Sequence, residues 1–337
     1  MSRQFEFRAE HWPLRVPFRI TDRTFAKTSV VHVVVKQGGR EGHGEGAGVY
    51  YRGETPDKMI EQLQGVAGQL ADEAVDRRVL QRLLPAGGAR NALDCALWDL
   101  EAQSTGPSVS EVAGIKELRP LITTLTLSAD DPGKVAQAAE NCAGVRALKL
   151  KLTGDGLDTE RVVAARRARP DVWLSVDANQ AFDLQGLQRL LPALLDSNVR
   201  LIEQPLPVGR DAALRELELP IPLAADESAQ CANDVPSLVG LYDMVNIKLD
   251  KCGGLTEALE MARLARRLGL DLMVGNMCGT SLAMAPAYVL GQLCDVVDLD
   301  GPMLLAADRE PSVIYRDGMI SGGERVWGTQ RSKGPLS

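Results

Sequence analysis

Short apolar runs alternate with longer amphipathic stretches along this chain, and the order of the two changes near residue 118. Before that point strands come first. FEFRAEHW (5–12), SVVHVVVKQ (29–37) and a Gly-rich turn into GEGAGVYY (44–51) read as extended segments, and helical periodicity then runs from Thr55 through Ser104. Strands followed by helices predict an α+β domain over residues 1–118. In ARNALDCALWDLEAQ, Ala92, Ala96 and Leu100 share one helical face and Leu93 and Leu97 an adjoining one, which leaves Asp94 and Asp99 as polar-face or capping residues. From residue 119 strand and helix alternate. The runs LITTLTL, RALKLKL, VWLSVDA, VRLIEQP, IPLAADE, DMVNIKL, LDLMVGN and CDVVDLD are separated by segments such as GLDTERVVAARRA and LTEALEMARLARRLG. Eight strands with seven intervening helices predict a parallel (β/α)7β barrel, a modified TIM barrel, over residues 119–310. A doubly wound open sheet would want a Gly-rich phosphate turn after its first strand, and LTLSADDPG is not one.

A barrel of this kind gathers chemistry at the C-terminal ends of its strands. Here each strand ends in a polar residue. Lys151, Asp177, Glu203, Asp226 and Lys248 follow one another at intervals of 26, 26, 23 and 22 residues, one βα unit each, and Asn276, Asp298 and Asp300 complete the ring. Lys149 and Lys151 share a strand face, a pattern that alone favours an edge strand with a wet side. The neighbouring strand ends decide against that. Three carboxylates converging on one mouth would repel one another at a large cost unless a cation joined them. All-oxygen ligands with no histidine or thiolate nearby favour Mg²⁺ over zinc, so Asp177, Glu203 and Asp226 are the candidate ligands. Lysines beside that cation, in a partly desolvated site, are expected to have depressed pKa values suited to a neutral amine base.

Composition narrows the partners. Of 337 residues, 45% are hydrophobic and 25% charged, as in globular proteins generally, and the net charge of −7 comes without a basic, aromatic-rich cluster. Nucleic acid and anionic membrane surfaces are therefore not expected as partners, which leaves a small molecule. No apolar run is long enough to span a bilayer, and MSRQFEFRAEHW lacks the order of a signal peptide, so a cytoplasmic location is expected. The six cysteines are far apart and read as reduced and mostly buried. All three histidines (His11, His32, His43) precede residue 50, which removes the commonest general base from the barrel. A homo-oligomer is expected.

The KLK at 149–151, VDAN around Asp177, IEQP around Glu203, ADES around Asp226 and NIKLDKCGG around Lys248 together resemble the enolase superfamily, in its muconate lactonizing enzyme subgroup. The resemblance covers nearly the whole chain. VDLDGP carries a D-x-D pattern similar to that of dipeptide epimerases of the L-Ala-D/L-Glu type, and LPAGGARNALDCALWDL is similar to their bacterial members. This resemblance implies an N-terminal capping domain on which residues 311–337 pack. It also implies a two-base 1,1-proton transfer, in which a substrate carboxylate on Mg²⁺ passes through an enediolate. Lys151 and Lys248 would act on opposite faces of the α-carbon of the C-terminal residue, and Lys149 would stabilise the developing charge. Asp298 and Asp300 would hold a dipeptide ammonium by charge-assisted hydrogen bonds. Relatives acting on Ala-Glu carry an arginine in the first capping loop. In PFRITDRTFAKTS the corresponding position falls near Phe25, with Arg19, Arg23 and Lys27 close by, which predicts apolar or mixed C-terminal residues alongside glutamate. Phe25, Arg23, Thr126, Met277 and Cys278 are the further substrate-contact candidates, and Tyr50, Tyr51 and Arg52 are possible lid contacts. Racemisation of an N-acyl amino acid, o-succinylbenzoate synthesis through the same enediolate, and a non-catalytic metal-binding barrel are the alternatives.

Overall fold

The computed structural model describes residues 2–20, 23–71, 76–217 and 219–329; the last part of the C-terminal segment, 330–337, lies outside the described residues. The N-terminal domain is an antiparallel sheet of β1 (Gln4–Arg19), β2 (Thr24–Gln37) and β3 (Arg40–Ala47), packed on α1 (Pro56–Leu70), α2 (Arg77–Leu83) and α3 (Gly88–Thr105), with the short α4 (Val109–Val112) after them. The GxGxG run in β3 sets how closely sheet and helix approach. A Cβ at Gly44 would lie 2.0 Å from the carbonyl oxygen of Ala92 in α3, and those at Gly42 and Gly46 would lie 2.2 Å from the carbonyls of Ala96 and Gly88. Only hydrogen fits there. The small face of α3, Ala92 and Ala96, meets the bare face of β3, and Val31, Val33 and Val35 of β2 close the core with Leu93 and Leu97.

The run LITTLTL is two strands rather than one. β4 (Leu121–Ile122) pairs with β14 (Met319–Ser321), which pairs in turn with β13 (Ile314–Arg316); β5 (Thr124–Leu127) opens the barrel. The barrel continues through α5 (Pro132–Glu140), β6 (Ala147–Lys151), α6 (Asp158–Ala168), β7 (Trp173–Asp177), α7 (Leu184–Asp196), β8 (Val199–Glu203), β9 (Leu223–Ala225), α8 (Val235–Leu238), β10 (Met244–Lys248), α9 (Leu249–Cys252), α10 (Leu255–Arg267), β11 (Asp271–Gly275), α11 (Ser281–Gly291), β12 (Val296–Val297) and α12 (Gly301–Leu304). All eight barrel strands run in sequence order and the neighbours are parallel. Among the described residues, the segment between β8 and β9 holds a 3₁₀ turn, Asp211–Glu216, where the alternation predicts a helix. The first and last strands are joined by side chains: Thr124 Oγ1 donates to Asp298 at 2.6 Å and the Leu299 N–H donates to Thr123 Oγ1 at 2.9 Å.

Strand alternation sorts the barrel into two environments. Leu148, Leu150, Leu174, Val176, Ile202, Val245 and Ile247 point outward into the helical layer, while Leu201, Ala224, Met244 and Met273 form a small apolar plug inside. The polar residues of the next inward level sit above that plug.

Asp94 and Asp99 are neither on a polar face nor capping their own helix. Both are fully buried. Asp94 accepts from the Thr256 N–H at 3.0 Å, capping α10 from another domain, and Asp99 accepts from the His43 and Gly328 N–H groups at 2.9 Å each. Helical periodicity cannot register a partner supplied by a different segment. Trp327, in the C-terminal segment, donates to the carbonyls of His43 (2.9 Å) and Cys95 (3.1 Å), so this part of the chain returns to the N-terminal domain.

Gly44→Ala is expected to destabilise the protein by about 1–3 kcal/mol or more, the usual cost of overpacking. Denaturant unfolding would detect this, and an unchanged midpoint would mean that β3 and α3 can separate without loss.

Candidate active site

Successive inward positions of the strand ends build one polar cluster. Lys149 and Lys151 come from β6, Asp177 from β7, Glu203 from β8, Asp226 from the residue after β9, and Lys248 from β10. The register pairs Lys151 with Asp177 and Asp177 with Glu203 across neighbouring strands. One carboxylate oxygen from each of Asp177, Glu203 and Asp226 lies within 4.8 Å of the other two. All three side chains are buried. This all-oxygen donor set suits a hard divalent cation.

The lysines interlock with these acids. Lys149 Nζ lies 3.0, 2.7 and 2.9 Å from carboxylate oxygens of Asp177, Glu203 and Asp298, so its three donors are committed. Lys151 Nζ donates to Asp177 at 2.6 Å and to Asn179 Oδ1 at 3.0 Å; Lys248 Nζ donates to Asp226 at 2.6 Å. β6 and β10 are four strands apart in an eight-strand ring, so Lys151 and Lys248 face each other across the mouth. Lys251, fully buried, holds Asp226 from beneath and also donates to the Asn246 carbonyl at 3.1 Å.

The expected depression of the lysine pKa values is not found for Lys149 and Lys248. Burial pulls each ammonium down. For Lys149 the nearby carboxylates of Asp177, Asp298 and Glu203 outweigh it, and for Lys248 Asp226 does so, leaving both above the usual range. The field of a cation favours the neutral amine, whereas carboxylates in direct contact with the amines favour the ammonium form. The acids divide among themselves. Burial and then the charge of Asp177 push Glu203 up to about 8. Asp177 and Asp226 go below the ordinary range, because Lys149 and Lys151 on one side and Lys248 and Lys251 on the other overcome their burial.

Above the cluster opens a cavity of about 280 Å³, lined by both domains. The barrel contributes Thr126, Met277, Cys278, Asp298 and Asp300 to it; Phe18, Ile20, Phe25, Lys27 and Tyr50 come from the N-terminal domain. Asp298 and Asp300 are not equivalent. Asp298 is engaged by Lys149 and Thr124, whereas Asp300 accepts from the Thr126 N–H at 2.7 Å and from Asn276 Nδ2 at 3.3 Å. Phe25 packs edge-on to Tyr50 at 5.6 Å, and Arg23 stacks over the same ring at 5.2 Å without lining the cavity. Tyr51 lines the cavity as well and meets Gln230, which also takes Arg52. Thr28 donates to the Cys278 carbonyl at 2.7 Å and so stitches the first capping loop to the loop after β11. Asn179 and Glu227 also line the cavity. Both lie inside VDAN and ADES but past the strand-end positions Asp177 and Asp226, so the one-acid-per-βα-unit spacing does not mark them.

Comparison with known proteins gives the same picture. Residues 2–114 match the family described as "Mandelate racemase / muconate lactonizing enzyme, N-terminal domain", and residues 134–322 match "Enolase C-terminal domain-like". An L-Ala-D/L-Glu epimerase of Escherichia coli (strain K12) is 42% identical, covering 92% of this chain and 97% of its own. An N-acetyl-D-glutamate racemase of Pseudoalteromonas sp is 41% identical over 73% of this chain and 78% of its own. The crystal structure of a dipeptide epimerase from Methylococcus capsulatus, complexed with Mg and the dipeptide L-Arg-D-Lys, superposes with a TM-score of 0.87 at 34% identity, covering 95% of this chain and 97% of that one.

Burial, and then the neighbouring charge of Asp298, push the Asp300 carboxyl up to about 6. Because the folded state holds this proton more tightly than the unfolded chain does, the group's contribution to stability is present at low pH and is lost as pH rises through about 6. The melting temperature of Asp300→Asn relative to the parent protein is therefore expected to rise as pH is taken from about 3 to about 7.5, the range that spans both the unfolded pKa of about 3.9 and the folded one of about 6. A difference independent of pH would remove this account of Asp300.

Proposed function

The chain belongs to the mandelate racemase / muconate lactonizing enzyme family of the enolase superfamily and is an isomerase of the epimerase and racemase kind; we propose that it epimerises a dipeptide at the α-carbon of its C-terminal residue. The observation that carries this reading is the opposition of Lys151 and Lys248 across a mouth floored by three carboxylates. One lysine takes the α-proton and the other delivers a proton to the opposite face, so configuration inverts. Asp177, Glu203 and Asp226 would hold Mg²⁺. When bound, the ion supplies Lewis-acid stabilisation of negative charge on a substrate carboxylate. Lys149, fixed below by its three acids, adds a positive charge near the developing enediolate. Asp300, on the cavity wall, is the group that takes the substrate ammonium, and Asp298 supports it through the Lys149 pair. Phe18, Ile20, Phe25 and Tyr50 make the capping side mainly apolar, with Lys27 the nearby cation. Apolar C-terminal residues are thus accepted alongside glutamate.

A second reading is racemisation of an N-acyl amino acid. The Pseudoalteromonas relative supports it, as does the commitment of Asp298 to Lys149, which leaves one acid for an ammonium.

Exchange of the α-proton in D₂O tests the chemistry. Lys151→Ala and Lys248→Ala should each abolish epimerisation while exchanging opposite stereoisomers, and chelation of the metal should stop exchange in both. The assignment of bases fails if the two variants exchange the same isomer equally.

Substrate class separates the two readings. Truncating one partner of a buried charged contact costs about 2–5 kcal/mol. N-acetylation of a good dipeptide should therefore lower kcat/KM by roughly two orders of magnitude or more. Ala-Leu is expected to turn over at least as well as Ala-Glu. Equal or faster turnover of the N-acetylated form would favour the racemase, and a strong preference for Ala-Glu would assign Lys27 or Arg23 to its side chain.

A further inference from the structure

Two polar side chains at the barrel mouth have no part in the chemistry just described. Asn179 stands two residues beyond Asp177 with φ of 42°, in the left-handed region that asparagine enters more readily than most residues. Its N–H donates to Asp177 Oδ1 at 2.9 Å, which fixes the turn and directs the amide across the mouth. From there the amide bridges two other strands. Its Oδ1 accepts from Lys151 Nζ at 3.0 Å, and its Nδ2 donates to Glu227 Oε1 at 3.2 Å. Glu227 is buried, lines the cavity, and leaves its second oxygen without a hydrogen-bond partner.

An amide held by a carboxylate through its NH₂ must present its oxygen, not its nitrogen, to the lysine. A lysine acting as a base carries two N–H bonds and one lone pair. With both N–H bonds on fixed acceptors, Asp177 and Asn179, the lone pair has one direction left. Asp177 is also one of the three acids assigned to the metal, so Asn179 is the acceptor of Lys151 with no second duty. Among the described residues Lys248 has no such amide; its hydrogen bond goes to Asp226. The two bases are therefore oriented by different means.

We propose that Asn179, itself held by Glu227, is a positioning residue that aims Lys151 and leaves Lys248 unaffected. The inference rests on the two-base reading above. Misplacing a reacting group by about 1 Å can cost on the order of 10²-fold, and here that loss should fall on one stereoisomer alone.

The test measures α-proton exchange in D₂O from each stereoisomer separately. Lys248→Ala first identifies the isomer served by Lys151. Asn179→Gly, which keeps the left-handed turn without strain, should slow exchange of that isomer about 10²-fold with KM little changed, and leave the other isomer nearly as fast. Glu227→Leu should follow the same one-sided pattern, whereas Glu227→Gln, which retains an acceptor, should recover most of the rate. Equal slowing of both isomers, or no effect on either, overturns the inference while the two-base reading stands. If Lys151→Ala and Lys248→Ala fail to divide the isomers between them, the two-base reading falls and the positioning role falls with it.

Discussion

The constraint on which this molecule depends is the neutralisation of charge inside its barrel. Three carboxylates and the ammonium of Lys149 are removed from water at one level of the barrel, directly above an apolar plug. An isolated ion in such a place costs several kcal/mol, so none of them is tolerated without the others. The same economy explains why the acids differ: Asp177 and Asp226 each have two lysines for company, while Glu203 shares Lys149 and takes an amide hydrogen bond from Asn246 at 2.8 Å. A site arranged so that negative charge is matched locally is also one that can receive a substrate anion and a dication together.

That site is completed by the N-terminal domain, and polar groups carry much of the attachment. Glu45 in β3 is fully buried and accepts from the Thr280 N–H at 2.8 Å and from Arg309, which also reaches Glu10. Asp250, two residues beyond Lys248, accepts from the Ala47 N–H at 2.8 Å and from Asn91 at 2.7 Å. Arg90 spends its guanidinium on the carbonyls of Cys252, Gly253, Gln81 and Leu84. These directional contacts fix register at the interface in a way that apolar area alone would not. Ala47 lies just before the Tyr50–Tyr51 segment, so the second capping loop starts from a point tied to the segment that follows Lys248.

Much of this was written along the chain. The inward alternation of KLK, the spacing of one acid per βα unit, and the absence of histidine from the barrel are local or periodic facts, and a repeated fold turns them into one cluster whatever the details of packing. The tight face of β3 is legible in the same way, as glycines at every second position. The fold class, the acidic triad and the lysine pair therefore follow from the sequence by itself.

What tertiary structure alone decided is how distant groups share partners. Asp94 and Asp99 look like surface residues of a helix until α10 and the C-terminal segment arrive to use them. Asp298 and Asp300 look equivalent at two-residue spacing, yet Lys149 claims the first and the Thr126 amide the second. Arg23 has the charge for a substrate carboxylate, but it is stacked on Tyr50, and Lys27 reaches the cavity instead. The physical reason is common to all of these cases. Periodicity encodes the direction in which a side chain leaves its own strand or helix, while hydrogen bonds and ion pairs depend on which groups from far along the chain compete for it in three dimensions.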